Sequence, residues 1–115
     1  MSAIYNDPNL YNIQTINELI INSDDMNKIV DGILGLSLYG ENRYEIQKFI
    51  INLLINTHNV QIKKTCITAL SHIVRVDGYI INSGIDIINK LKNDELYSNS
   101  ISDLLDDVEI FIKKS

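Results

Sequence analysis

Tryptophan is absent from this chain, proline and cysteine occur once each, and arginine occurs twice. Each shortage excludes something. One proline and five glycines leave too few turn signals for an all-β sandwich with many short strands. A single cysteine, Cys66, cannot form an internal disulfide, which points to a reducing, cytoplasmic setting. Two arginines, Arg43 and Arg75, are a poor supply for neutralising phosphates, so direct nucleic-acid binding is not expected. The longest near-continuous apolar stretch, Phe49 to Ile55, is seven residues long and is broken by Asn52. A membrane span needs about 20. Met1 to Asn12 shows no basic region and no apolar run, so no secretory signal peptide is expected.

What the chain has is aliphatic bulk and negative charge. Isoleucine alone supplies 22 of its 115 residues. Ten Lys plus Arg against fifteen Asp plus Glu leave a net charge of −5 and a pI near 4.8. The length suits one domain, residues 1–115, with one core. An acidic body favours a basic protein partner, because complementary fields speed encounter.

Isoleucine slightly lowers helix propensity, but the apolar residues recur at three and four rather than at two, and that periodicity predicts helices. A first helix is expected from about Pro8 to Ile21, with Asp7 capping and Pro8 in the first turn. Met26 to Tyr39 forms a second, stopped by Gly40. Tyr44 to Thr57 and Val60 to Val76 follow, the latter ended by Asp77-Gly78. Asn82 or Ser83 caps a fifth through Leu91, Asn93 to Asn99 reads as a loop, and Ser100 caps a last helix to about Lys113. Five to six helices joined by short turns stack as antiparallel pairs. Asp24 to Thr57 and Asn59 to Lys92 are each a helix–turn–helix unit of about 34 residues, which suits a short α-solenoid closed by a C-terminal capping helix.

His72-Ile73-Val74-Arg75 followed by Asp77-Gly78, and Asp103-Leu104-Leu105-Asp106-Asp107-Val108-Glu109-Ile110-Phe111, together with Tyr39 and Gln47, resemble a family of small bacterial HEAT-repeat proteins. The family pattern has a Gly-His-Ile-Ala-Arg helix end, a Gly turn and a closing Asp-Asp-Ile helix that finishes in Phe. Such chains resemble immunity proteins of polymorphic toxin and contact-dependent growth inhibition systems. The resemblance spans about Asn17 to Lys113 and implies a HEAT-like solenoid that binds and silences one cognate toxin domain. Ser71 and Val74 stand where the family has Gly and Ala, and Arg43, Tyr44 and Glu45 stand where it often has tryptophan.

Projected as a helix, the closing segment gathers Ile101, Leu104, Leu105, Val108, Phe111 and Ile112 on a core side, with Asp103, Asp106, Asp107 and Ile110 opposite. Three readings are open, one of them metal binding by these carboxylates, against which one helix face lacks the encircling ligands that calcium needs. In the others the acids form a solvated face with Asp106 or Asp107 paired to Arg75, or they form a docking strip for a basic partner with Ile110 as its dry centre. Tyr39, Tyr44, Tyr79 and Tyr97 fall at helix ends or loops, beside Glu41, Asp77, Asp94 and Glu95. These either pack on the core or extend an acidic, aromatic interface. His72 is a packed residue or a polar interface contact, and His58 a turn residue. Neither has the companions that zinc requires, and no cofactor is expected. Cys66 reads as a small core residue, six positions from His72 and on a divergent face, so no nucleophile–base pair forms.

The expectation is therefore a non-enzymatic binding module. Its partner set is Asp103, Asp106, Asp107, Ile110, Tyr39, Glu41, Tyr44, His72, Asp77 and Tyr79. The alternative is a general α-solenoid adaptor or oligomeric scaffold.

Overall fold

Over residues 11–112 the chain turns back on itself five times. A computed structural model, which describes these residues, contains six helices and no strand among them: α1 (Ile13–Asn22), α2 (Met26–Tyr39), α3 (Arg43–Asn56), α4 (Val60–Asp77), α5 (Asn82–Leu91) and α6 (Ser98–Phe111). The expected start at Asp7-Pro8 lies outside the described residues. Within them, α1 opens at Asn12, whose backbone is extended and whose side chain accepts from the Thr15 N–H at 2.9 Å.

Local chemistry sets the other boundaries. Asp25 caps α2 by accepting from the Asn27 and Lys28 N–H groups, and Asn59 caps α4 by accepting from Ile62. Gly78 closes α4 at φ +74°, in the left-handed region that suits glycine. Three start points differ from expectation, the first being α1, which begins at Ile13 after the non-helical Tyr11 and Asn12 that a helix from Pro8 would include. Asn82 is the first residue of α5 and Ile81 occupies its cap position. The last helix begins at Ser98, two residues before Ser100. The cause is Asp94, whose carbonyl receives the Tyr97 and Ser98 N–H groups while its carboxylate receives that of Leu96. Tyr97, anchored in the core at 4 % exposure, then starts the helix early. It is a core residue with Lys63 above its ring.

The helices pack as pairs. Tyr11 lies on Gly35, and Ile16 and Leu19 on Gly32, so α1 runs antiparallel to α2. Ser37 meets His72 and Arg75 meets Asp107. Thr68 and Ser100 share one groove with those last two residues. The register shows α2, α4 and α6 side by side and pointing the same way. Gln47 touches Ile81 and Ile51 approaches Gly84, so α3 and α5 also run parallel to each other.

Helix α4 is the centre, packed against α2, α3 and α6. Its Cys66, Ala69, Leu70, Ile73 and Val74 are fully buried beside Ile33, Leu36, Ile50, Leu54, Ile101 and Leu104 of its neighbours. Burial pushes the Cys66 thiol up to about 12, which leaves it protonated and unreactive at neutral pH. The radius of gyration, 13.6 Å, is close to the roughly 13 Å expected for a compact chain of this size.

Candidate functional site

The residues singled out from sequence fall into two places and an outlying strip. The first is the edge where α2 and α4 end and α3 begins. Arg43 builds it. Its Nε donates to Asp77 Oδ1 at 2.8 Å, and its other nitrogens donate to the carbonyls of Gly40 (3.1 Å) and Ser37 (2.6 Å). One guanidinium thus ties off the C-terminal carbonyls of α2 and joins them to the last residue of α4. Gln47, fully buried, accepts from the Ile81 N–H at 2.6 Å and donates to the Tyr79 carbonyl at 3.4 Å. It fixes the loop between α4 and α5.

On this frame stand Tyr39, tilted against Tyr11 with centroids 5.6 Å apart, and Tyr44, with the Lys48 ammonium 5.2 Å from its ring centre. Tyr79 and Glu41 complete the edge, and all four are exposed. Asp77 does not join them at the surface. Its side chain is only 7 % exposed and bound to Arg43, because a carboxylate at that depth requires a cation. Its second oxygen, Oδ2, is buried without a hydrogen-bond partner.

The second place is a groove of about 190 Å³ between α4 and α6, lined by Thr68, Ser71, His72, Arg75, Ser100, Asp103 and Asp107. Three of the expected residues meet here. Asp107 lies on the α4 side of α6, buried and paired to Arg75 at 3.1 Å, and not on the outward strip. Position in the row explains the difference. Helix α6 is packed chiefly on α4, so its buried arc is narrow and centred on Ile101 and Leu104. Leu105 and Phe111, expected in the core, are partly open to solvent for the same reason. The outward strip therefore reduces to Asp106 and Ile110, with Asp103 at the groove rim. Ile110 is 58 % exposed.

His72 is half-buried. Its Nδ1 lies 3.3 Å from Ser37 Oγ. Burial, and secondly the Arg75 charge, hold its pKa below the usual histidine value, with Asp107 opposing. The sequence Ser37, His72, Asp107 has the residue types of a hydrolytic triad but not its geometry. Ser37 is fully buried and its hydroxyl donates to the Leu34 carbonyl at 2.7 Å, so no substrate reaches it. A further concavity of about 330 Å³, at Tyr11, Asn12, Glu41 and Asn42, takes in Glu41 alone of the expected set.

No family model, curated protein or solved structure matches the chain. Among the described residues no group of three or more His, Cys, Asp or Glu is placed to hold a metal ion, and no helix is long and apolar enough to cross a membrane.

One of the two sequence readings of α6 paired Arg75 with Asp106 or Asp107, and the pair formed is Arg75–Asp107; sequence reasoning missed Ser37 and Arg43 as framework residues. A signal for them existed. Arg43 and Asp77 are 34 residues apart, as are Gln47 and Ile81, and Ser37 and His72 are 35 apart. That spacing is the length of the helix–turn–helix unit.

Proposed function

We propose that the chain is an immunity protein, a HEAT-like α-solenoid that binds a cognate basic toxin domain in the cytoplasm and covers its active or substrate-binding surface. The solenoid reading is supported by the bonds at 34 and 35 residues, which join equivalent places in successive helix pairs. It is also supported by the common direction of α2, α4 and α6. In this reading α6 is the terminal cap. The toxin reading rests on the resemblance of the His72–Gly78 and Asp103–Phe111 segments to immunity proteins.

The observation that carries the binding reading is the outer side of α6. Asp103 and Asp106 are exposed, Ile110 stands beyond them at 58 % exposure, and the whole body carries a net charge of −5. An exposed apolar residue next to exposed acids suits a cationic protein surface. The tyrosine edge at Tyr39, Tyr44 and Tyr79 offers a further contact area of rigid, amphipathic rings.

The test uses the toxin domain encoded beside this chain. Its association rate is expected to fall as salt rises, and Asp106→Lys should lower that rate by about tenfold at low salt. Surface replacement at Asp106 leaves stability within about 0.5 kcal/mol, so the loss is read as binding. A rate indifferent to salt and to the charge reversal overturns the electrostatic reading. Cells that die equally with and without this chain overturn the immunity reading.

A further inference from the structure

The groove between α4 and α6 holds a set of acceptors that the packing of the two helices does not use. Ser37 Oγ has one proton and donates it to the Leu34 carbonyl. It therefore meets His72 as an acceptor, and the proton between them belongs to His72 Nδ1. The tautomer follows: neutral His72 carries no proton on Nε2, and its ring lines the groove. The Ser71 and Ser100 hydroxyls and the Asp103 carboxylate line the same groove and make no hydrogen bond or ion pair among the described residues. Asp107 adds a second carboxylate, while Arg75, its partner, is more than half exposed at the rim.

We propose that this groove receives a cationic side chain, arginine or lysine, from a protein partner. An ammonium has three donors and a guanidinium five, with no acceptor. That is the complement of two hydroxyls, an imidazole lone pair and a carboxylate. An anion would face two carboxylates against one guanidinium, Arg75, which is already paired to Asp107 and leaves the Asp103 charge uncompensated in the groove. The groove's 190 Å³ far exceeds the roughly 10–15 Å³ that one water needs on the same measure, so a side-chain head group fits. The inference names a contact for the partner proposed above and rests on that reading for the partner's identity. The groove's preference for a cation is a property of this chain alone.

His72 also sets a pH dependence. The groups facing it are Ser37 from α2, which is uncharged, Arg75 on α4, and Asp103 and Asp107 on α6. At neutral pH Nε2 is an acceptor. As pH falls through the lowered His72 pKa, below 6.5, Nε2 gains a proton and the ring a positive charge, so a cation is turned away.

The experiment is an NMR titration of the full chain, 15N-labelled, with N-acetyl-arginine methylamide, its lysine counterpart and the neutral citrulline analogue. The cations are expected to shift the Ser71, His72, Ser100 and Asp103 amides saturably in the millimolar range, and binding of either cation supports the proposal. Citrulline, and the arginine probe on Asp103→Asn, should bind about tenfold more weakly, the scale of a lost charge-assisted bond. Binding should weaken as pH falls below 6.5 toward the lowered His72 pKa, and His72→Asn, which keeps a donor toward Ser37, should flatten that change. Equal shifts from citrulline, shifts spread over every acidic residue, or unchanged binding by Asp103→Asn overturn the proposal. Neutralisation of the toxin that survives an empty groove rejects the groove alone. Cation binding without neutralisation rejects the immunity reading alone.

Discussion

Arg43→Ala is expected to destabilise the fold by about 3 kcal/mol, at the low end of the 3–5 kcal/mol for breaking a buried ion pair. The cost has two sources. Asp77, at 7 % exposure, loses its ion-pair partner and already holds one buried oxygen with no hydrogen-bond partner among the described residues. The Ser37 and Gly40 carbonyls at the end of α2 lose their donor in the same step. Arg43 itself is 23 % exposed, so water relieves part of the loss, which places the value low in the range. Urea unfolding of the single variant and of Arg43→Met with Asp77→Leu separates the sources. The double variant should recover more than half of the loss, because it removes the stranded charge along with its partner. Equal losses in both would show that the carbonyl contacts, and not the carboxylate, carry the effect.

Leu70→Ala is expected to cost about 2–5 kcal/mol. Leu70 is fully buried in the helix that packs against three others, and close packing leaves little room for the cavity to collapse. A chain of this size has roughly 5–15 kcal/mol in all, so the midpoint of thermal unfolding should fall by roughly 10–20 °C. A change below about 1 kcal/mol would remove α4 from the centre of the molecule.

Helix class and most boundaries were legible because apolar spacing and caps are local. Asp25, Asn59 and Gly78 act within a few residues of the ends they define. The start of α6 was misplaced because the deciding groups, the Asp94 carbonyl and the buried Tyr97 ring, compete with the more obvious cap at Ser100. The faces of α6 were legible only in part. A wheel projection places Asp103, Asp106, Asp107 and Ile110 together, but it carries no information on where the neighbouring helix lies. Contact with α4 on one side moved Asp107 into the interior and left Leu105 partly outside. Asp77 was misjudged for a related reason. An acid in a turn reads as exposed until the arginine 34 positions earlier is seen to reach it.

The central place of α4 also determines how the molecule comes apart. Helix α1 leans chiefly on α2 and α6 chiefly on α4, whereas α4 is gripped from three sides. The bonds Arg43–Asp77 and Gln47–Ile81 clasp the α2–α3 pair to the α4–α5 pair, and Arg75–Asp107 clasps α4 to the single helix α6. Such a chain opens from its ends, one clasp at a time. In hydrogen–deuterium exchange the amides of α1 should be labelled early and those around Leu70 last, at a rate that reports global unfolding.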